Sequence, residues 1–317
     1  MKKIRNKAII YLLAVFVLVS LSGCSSRPIA PAFKVNLEVW GLFDSEDAYK
    51  DIFAAYKALN PVIGNIAYRK LTQDSYRSDI IEALAVDQGP DIILIQNNQL
   101  TLFKNILAPA PAEVLNEQRM KKNFVDVVVG DFIDQGSVYA VPLSVDTLAL
   151  YYNKDLFNAA GIIFPPNNWI AGPNSFVADV EKLTKTDSQG QIIQSGTAMG
   201  TARNINRPTD ILATLMMQNG TEMTDSGNSK VTFIGGSSSA TGGIKNPGKN
   251  ALDFFVQFSK RNSQYYCWNN NMHNSIDAFG EGKLAMMLNY HYQKAEVNAK
   301  APKLNFEIAP IPQLPDT

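Results

Sequence analysis

The sequence predicts an α/β fold, in which strands and helices alternate along the chain. The 317 residues are 46% hydrophobic and 18% charged, an ordinary globular mixture that is long enough for one large domain or two ordinary ones. Runs with a two-residue apolar period precede segments with helical apolar spacing. The run at 91–95 is continuously apolar after its first residue, which is typical of parallel strands covered on both faces. Such alternation favours a parallel sheet.

The first half of the chain is predicted to contain three strands and two helices. The strands lie at 35–40, 66–71 and 91–95, where apolar residues alternate with polar ones or run without interruption. One helix begins at Ser45 and the next at about Ser75. The residues of the first helix that share its apolar face are Tyr49, Ile52, Phe53, Tyr56 and Leu59.

The second half continues the alternation, with interruptions. Its strands are predicted at 138–142, 148–152, 283–289 and 304–309. Its helices are predicted at 154–160, from about 174, at 208–218 and after the Asn246-Pro247 pair. Gly161 is placed to end the first of these helices, and residues 235–248 are expected to form a loop.

The N-terminal segment decides the expected compartment. Residues 1–7 are basic and 8–19 are apolar, which is the pattern of a secretory signal and is too short to span a bilayer comfortably. The apolar run ends in Leu-Ser-Gly-Cys, which resembles the lipobox of bacterial lipoproteins. This resemblance implies a signal peptide at 1–23, lipidation of Cys24 and a membrane-anchored tether at 24–34. The alternative is an uncleaved anchor helix with an incidental cysteine.

Composition and motifs argue against several function classes. Lys and Arg number 29, as do Asp and Glu, so no basic surplus predicts a nucleic-acid partner. The two histidines have no Cys or carboxylate cluster around them with metal-ligand spacing, and neither a Gly-x-Ser-x-Gly hydrolase elbow nor a Walker-type nucleotide-binding loop is present. We therefore predict no catalytic residue, no metal and no cofactor. With Cys24 lipidated, Cys267 is the remaining thiol and is predicted to be a buried small apolar residue.

An ordered set of motifs resembles a known family. These are Pro-Asp-Ile-Ile at 90–93, the run from Val138 to Phe157, Ala-Gly-Ile at 160–162, Phe-x-x-Gly-Lys-x-Ala-Met-Met at 279–287 and Ala-Pro-Ile-Pro-Gln at 309–313. Together they resemble extracellular solute-binding proteins of family 1, the substrate-capturing proteins of ABC importers related to maltose-binding protein. The resemblance covers roughly residues 35 to 317.

The resemblance implies a two-lobed periplasmic-binding-protein type II fold with a hinge and a cleft between the lobes. The N-terminal lobe is expected at 35–143, the C-terminal lobe at 144–304 and a return hinge strand toward the first lobe at 305–317. The last helical part of the family fold is expected to be missing. Residues 167–170 depart from the family, which usually has Thr-Trp before an acidic residue there.

The resemblance implies capture of a carbohydrate, which for members of this family is more often an oligosaccharide. An extracytoplasmic, lipid-anchored monomer would deliver it to ABC permease subunits. The family places an acidic sugar ligand at Asp146, a polar one at Asp44 and an aromatic stacking residue at Tyr292 or its neighbour Tyr290. Amides and guanidinium groups at strand and loop ends extend the candidate set, and Trp40 is a candidate platform. These further candidates are Asn98, Gln99, Asn204 and Arg207.

Each candidate also has a structural interpretation. Asp44 is equally suited to cap the helix at Ser45, and the amides after residue 95 to begin a helix. Asp146 is equally able to hold the backbone, and either tyrosine to pack in the second lobe. At the level of function, the same fold leaves open an acidic or phosphorylated solute, which Arg207 suits, a surface sensor or adhesin, and a glycan-processing enzyme.

Overall fold

A computed structural model describes residues 33–72, 74–227, 229–235, 237–238 and 244–314. Its contacts divide the chain into two compact units, Met1–Leu143 and Ser144–Thr317. The predicted signal peptide and Cys24 lie outside the described residues. Within the described part of the chain, no helix is both long enough and apolar enough to cross a membrane.

The N-terminal unit contains a three-stranded sheet, all parallel, as the alternation of strands and helices predicts. The order is β2-β1-β3, so the first strand lies in the centre. The strands are Val35–Gly41 (β1), Ile63–Lys70 (β2) and Ile92–Ile93 (β3), and a hairpin follows at Ile133–Asp134 (β4) and Ser137–Val138 (β5). The helices are Lys50–Leu59 (α1), Tyr76–Ala85 (α2), Leu100–Phe103 (α3), Glu117–Asn123 (α4) and Asp126–Val129 (α5), with 3₁₀ turns at Glu46–Ala48, Asn97–Gln99 and Lys104–Ile106.

The core of the N-terminal unit is small. Its contiguous cluster of buried side chains is Trp40, Leu42, Tyr76, Ile80 and Phe103, while other buried apolar residues, such as Met120 and Phe132, lie outside that cluster. The Tyr76 hydroxyl donates to the Trp40 carbonyl oxygen at 2.9 Å and accepts from the Leu94 amide at 3.0 Å. Burial raises the pKa of Tyr76 to about 12, so this hydroxyl keeps its proton and continues to join the central strand to the chain after β3.

Three expectations for the N-terminal unit are wrong in detail. The apolar face predicted for α1 is not buried, and Leu59 at its end is 81% exposed. Ile92 in β3 is 48% exposed, so that short strand is not covered on both faces. The strand expected at 138–142 is only the second arm of the β4–β5 hairpin, because Gln135 and Gly136 adopt the left-handed φ values that a tight hairpin turn requires.

The C-terminal unit is built on a mixed five-stranded sheet. Its strands are Leu148–Asn153 (β6), Lys185–Thr186 (β7), Ile192–Thr197 (β8), Leu284–Tyr290 (β11) and Phe306–Ala309 (β12). Ser237–Ser238 (β9) and Ile244–Lys245 (β10) form a separate antiparallel pair. The order is β12-β6-β11-β8-β7. β11 runs parallel to β8 and antiparallel to β6, so it lies in the middle of the sheet.

The helices of the C-terminal unit follow the sequence pattern closely. They are Lys154–Ala159 (α6), Phe176–Leu183 (α7), Pro208–Gln218 (α8), Pro247–Gln257 (α9), Ser275–Gly280 (α10) and Lys294–Lys300 (α11). The prediction for α8 is confirmed to the residue. Gly161 follows α6 with a φ of 70°, the left-handed conformation that the predicted cap requires.

The core of the C-terminal unit is large and rich in aromatic residues. The buried aromatic residues there include Trp169, Phe176, Phe258, Trp268 and Phe279. Phe176 makes edge-to-face contacts with both Trp169 and Phe258. Cys267 is fully buried, as predicted, and burial raises the pKa of its thiol to about 12. The segment expected as a return strand at 305–317 contributes β12, which pairs with β6 of this unit.

Candidate functional site

The end of β11 carries a polar cluster whose backbone is held by side chains of other elements. After Tyr290 the chain enters a 3₁₀ turn at His291–Gln293, and the Asp146 carboxylate accepts the backbone N–H groups of His291 at 3.1 Å and Tyr292 at 2.9 Å. On the other side, the buried Tyr151 hydroxyl donates to the carbonyl oxygens of Tyr290 and His291. The backbone of the turn is therefore held from two directions.

The two tyrosines of the turn form a parallel aromatic pair. The ring centroids of Tyr290 and Tyr292 lie 6.1 Å apart with an interplanar angle of 14°. Tyr292 is 52% exposed, whereas Tyr290 is partly buried. About half of the Tyr292 side chain is thus open to solvent, as is required of a ring that stacks on the apolar side of a sugar or on another flat ligand.

Arg207 joins the pair from the loop before α8. Its guanidinium donates to the Tyr292 hydroxyl at 2.7 Å and lies 5.7 Å from the centroid of the Tyr290 ring. The bond uses one of five guanidinium N–H donors, and the Tyr292 hydroxyl remains able to donate. The cluster of Asp146, Arg207, Tyr290 and Tyr292, here called the tyrosine cluster, therefore combines an aromatic surface with unused donors.

The charges of the tyrosine cluster are fixed at neutral pH. Burial raises the pKa of Tyr290, and the nearby Asp210 carboxylate raises it further. The hydrogen bond to Tyr292 raises the pKa of Arg207. The tyrosine therefore stays neutral and the arginine stays charged, which suits recognition of a ligand through hydrogen bonds and does not suit proton transfer near pH 7.

The backbone at Arg207 is strained. Its φ is 62°, a left-handed value that is uncommon for a residue with a side chain. Pro208 follows as the first residue of α8, and a proline disfavours the ordinary helical conformation in the residue before it. Strained residues of this kind concentrate at functional sites. The strain and the two tyrosine contacts together set the direction of the guanidinium.

Asn204 lies on the same loop but has no polar atom left for a ligand. Its amide donates to the carbonyl oxygens of Asn269 and Met272, both at 2.9 Å. Its carbonyl oxygen accepts from Thr201 Oγ1 and from Trp268 Nε1. Both donors and both lone pairs are occupied, so we assign Asn204 to the scaffold of the loop and not to ligand contact.

Trp40, the candidate platform of the N-terminal unit, is a core residue in the structure. It is 3% exposed, its indole N–H donates to Glu38, and the Arg69 guanidinium lies 4.8 Å from its ring centroid. The expectation that it stacks on a ligand is therefore corrected, because no ring face is open. The central position of β1 in its sheet is what buries this ring.

The other candidates of the N-terminal unit have distinct environments. The Asp44 carboxylate is exposed and accepts from the Tyr49 hydroxyl at 2.7 Å, while the following 3₁₀ turn has no side-chain cap. Gln99 accepts the Gln96 amide in a capping box. Asn98 is exposed and makes no hydrogen bond within the described residues. Asp44 and Asn98 therefore keep unused hydrogen-bonding capacity, whereas Gln99 holds the turn.

Sequence reasoning missed two members of the site. Tyr151 supports the turn from inside the sheet, and Asp210 faces Tyr290 from the first turn of α8. Tyr151 lies in an apolar strand and looked like core, and only its pairing opposite β11 brings its hydroxyl to the turn. Within the described residues no group of three His, Cys, Asp or Glu side chains could hold a metal ion.

Solved structures of sugar-binding proteins share this fold. The cyclic α-maltosyl-1,6-maltose binding protein from Arthrobacter globiformis superposes with a TM-score of 0.68 at 20% identity, covering 89% of this chain and 67% of that one. The ABC substrate-binding protein Lmo0181 from Listeria monocytogenes, in complex with cycloalternan, gives 0.64 at 16% identity, covering 90% of this chain and 68% of that one. These similarities confirm the α/β periplasmic-binding-protein type II fold.

Curated relatives agree with this result. The maltodextrin-binding protein MdxE of Bacillus subtilis is 26% identical over 98% of this chain and 69% of its own length. A protein of Brucella abortus that is described as a binding protein is 25% identical over 43% of this chain, and the match spans about a third of its length, 32%.

The family itself is shown by a match to its sequence profile. The profile of the bacterial extracellular solute-binding proteins matches residues 51–317, which is well over half of the chain and includes all of the tyrosine cluster. The predicted relation to maltose-binding protein is confirmed by the relatives above. The chain therefore belongs to the bacterial extracellular solute-binding protein family.

Proposed function

We propose that this protein binds a carbohydrate outside the cytoplasm and delivers it, chemically unchanged, to the permease of an ABC importer. The single observation that carries the proposal is the tyrosine cluster, in which the exposed Tyr292 ring lies parallel to Tyr290 beside an arginine and a carboxylate. Sugar rings present an apolar face and a rim of hydroxyls, and such a cluster offers a partner for each.

The relatives support an oligosaccharide as the ligand. Relatives with the same fold have been solved with cycloalternan, with maltotriose and with mannobiose. An exposed tyrosine is also more useful to a ligand with several rings, because one ring can stack while the next reaches the adjoining polar groups. We propose Tyr292 as the stacking residue and Arg207 and Asp146 as its polar neighbours.

Isothermal titration of the full chain with maltotriose, mannobiose and cycloalternan tests this proposal. We expect one of these saccharides to bind, and Tyr292→Ala to weaken that binding about ten-fold or more, because it removes a stacking surface and a hydroxyl. Tyr56→Ala is the matched control, since Tyr56 is an exposed tyrosine of the N-terminal unit, and it should leave the affinity unchanged.

Two results would count against the proposal. Equal losses in the two tyrosine variants would show that the tyrosine cluster has no special part in binding. Tight binding of an amino acid, a peptide or inorganic phosphate, with no response to any saccharide, would favour the acidic or phosphorylated solute, for which Arg207 provides a suitable guanidinium.

We also propose that the protein is a monomer held at the membrane by lipid on Cys24, after removal of residues 1–23. The basic, apolar and Cys-terminated pattern of the sequence supports this. Metabolic labelling with radioactive palmitate checks it. The wild-type protein should be labelled and sediment with membranes, and Cys24→Ala should be neither labelled nor sedimented. Labelling that survives this substitution would refute the assignment of Cys24.

A further inference from the structure

A pocket lies on the C-terminal unit at the loop that leads to Arg207, and none of its lining residues belongs to the tyrosine cluster. It has a volume of about 360 Å³, within the range of about 300–1,000 Å³ that small-molecule sites occupy. Its walls are residues 200–203, Ser259 and the pair Asn269 and Asn270. None of the residues that form it is an aspartate or a glutamate.

The pocket is held in shape by the protein itself. Gly200 has a φ of 96°, and a Cβ there would lie 2.7 Å from the Ser259 amide nitrogen, so a glycine is required for the two walls to meet. The Ser259 hydroxyl donates to the Gly200 carbonyl oxygen at 2.8 Å. The fully bonded Asn204 then ties this loop to the Asn269 backbone on the opposite wall. A site that is formed before binding loses less free energy to ordering.

The polar groups of the pocket are available. Arg203 is exposed and makes no ion pair or hydrogen bond within the described residues, so all five of its N–H donors are free. The Asn270 amide is likewise unpaired within the described part of the chain. Lys260 and Arg261 follow Ser259 directly in the sequence, so the chain next to this wall carries two positive charges. A free guanidinium fork without a competing carboxylate matches the planar, two-oxygen geometry of an anionic group.

The pocket is also within reach of a ligand that occupies the tyrosine cluster. Arg203 and Arg207 are four residues apart on one loop, so their Cα atoms lie at most about 14 Å from each other. A saccharide of a few rings that stacks on Tyr292 can therefore extend one end into the pocket.

We infer that this pocket binds an anionic substituent, a carboxylate or a phosphate, on one end of the carbohydrate ligand. This inference rests on the proposed function, because it assigns a substrate class to a protein that must first bind saccharides. It makes the preferred ligand an acidic oligosaccharide, with its neutral rings at the tyrosine cluster and its charged unit at Arg203.

Titration of the full chain with three matched probes tests the inference. They are maltotriose, maltotriose oxidised to a uronate at its terminal C6, and maltotriose carrying a phosphate at that position. At least one charged probe should bind about ten-fold or more tightly than neutral maltotriose, since hydrogen bonds to a charged group are the stronger kind. The charged probe that binds better identifies the group as carboxylate or phosphate.

Arg203→Gln should abolish this preference and leave the affinity for neutral maltotriose within about two-fold. Arg77→Gln is the matched control, because Arg77 is an exposed arginine of the N-terminal unit, and it should change neither affinity. Since the exposed Arg203 side chain makes no hydrogen bond or ion pair in the described protein, its replacement should not affect folding, which a thermal unfolding curve checks.

The outcomes separate the two proposals. Equal binding of neutral and charged probes, or a preference that survives in Arg203→Gln, overturns the anionic pocket and leaves carbohydrate binding intact. If none of the three probes binds to the wild-type chain while mannobiose or cycloalternan does, the anionic pocket fails and carbohydrate binding stands; if no saccharide binds, both proposals fail. A preference that Arg77→Gln retains and Arg203→Gln loses supports the pocket.

Discussion

Arg207 is the residue at which strain, charge and aromatic contact coincide. Its left-handed φ costs the folded state about 1–2 kcal/mol for a residue with a side chain, and its guanidinium contacts both members of the aromatic pair. A residue that served only to begin α8 would be better as glycine or asparagine, which tolerate this conformation. The folded state therefore carries this backbone strain at the residue whose side chain contacts both tyrosines.

This account predicts a difference between two truncations of Arg207. Both Arg207→Gly and Arg207→Ala remove the guanidinium and should weaken saccharide binding equally. The glycine variant should be the more stable of the two by about 1 kcal/mol, because only glycine adopts a positive φ without strain. Chemical denaturation and calorimetric titration measure the two effects separately. An alanine variant as stable as the glycine variant would show that the backbone there is not strained.

Asp179 is a second residue that costs the folded state free energy, and we give it no part in ligand binding. Its side chain is 1% exposed on α7, neither carboxylate oxygen has a hydrogen-bond partner in the described protein, and the Lys182 ammonium is 3.9 Å away. Burial raises the pKa of Asp179 from 3.8 to about 6, against a smaller opposite effect of Lys182. Between these two values the folded protein holds a proton that the unfolded chain releases, so stability falls as pH rises.

The predicted consequence is a stability gain in Asp179→Asn. Above pH 6 this variant should unfold with a free energy higher by about 1–3 kcal/mol, because it is never charged, and it should lose much of the decline that the wild type shows between pH 4 and pH 6. Urea denaturation at several pH values gives both numbers. Asp51→Asn, at an exposed aspartate of α1, is the control. A variant that keeps the full wild-type pH dependence would refute the assignment to Asp179.

At the scale of elements, the sequence predicted best where the pattern is local. The limits of α8 and the cap at Gly161 follow from proline, glycine and helical spacing alone, and both are confirmed. The apolar face of α1 has the same helical spacing, yet it is exposed. Its burial would require another element to pack against it, which the spacing within the helix does not predict. The short β4–β5 hairpin was missed for a related reason, since its turn depends on a positive φ at Gln135.

The candidate site likewise contains residues that the sequence predicted and features that only the folded structure shows. Asp146, Arg207, Tyr290 and Tyr292 were predicted from the sequence and the resemblance. They lie near one another only because β6 begins at the place in the C-terminal unit where β11 and the loop before α8 end. The sequence and the resemblance could not show that Trp40 is buried. Nor could they show that Tyr151 holds the turn, because a hydroxyl on an apolar strand has no signature until its partner strand is known.

The turn after β11 should depend on the Tyr151 hydroxyl. Tyr151→Phe leaves the carbonyl oxygens of Tyr290 and His291 without this donor and should lower the free energy of unfolding by about 1–3 kcal/mol. It should also weaken saccharide binding, because Tyr292 would be less well held. Tyr152→Phe alters the neighbouring residue of β6 and is the matched control. Equal stability of the two variants would show that the Tyr151 hydroxyl does not support the turn.

At the scale of the whole molecule, the two units differ in how much core they have. The buried core cluster of the C-terminal unit includes residues from most of its strands and helices, whereas the N-terminal cluster has five buried members. The N-terminal unit also exposes large apolar residues on several elements, among them Ile52, Leu59 and Val127. Since apolar burial is the main stabilising contribution, the N-terminal unit should open at lower cost.

Brief digestion with thermolysin tests this difference, because the protease prefers apolar residues in opened segments. The first cleavages should fall within 33–143, and a fragment close to Ser144–Thr317 should persist longer. Mass spectrometry of the early fragments locates the cuts. First cleavages in β6 or β11 would contradict this ranking of the two units.

The central claim is that a saccharide binds at the tyrosine cluster, and amide hydrogen exchange with and without maltotriose, mannobiose or cycloalternan tests it most directly. A bound saccharide at about a hundred times its dissociation constant adds roughly 2.7 kcal/mol of stability, which slows exchange measurably. We predict that one of these saccharides slows exchange at 290–293 and in the loop at 204–207. The account is contradicted if saccharides leave exchange unchanged in both segments, or protect only residues elsewhere in the chain.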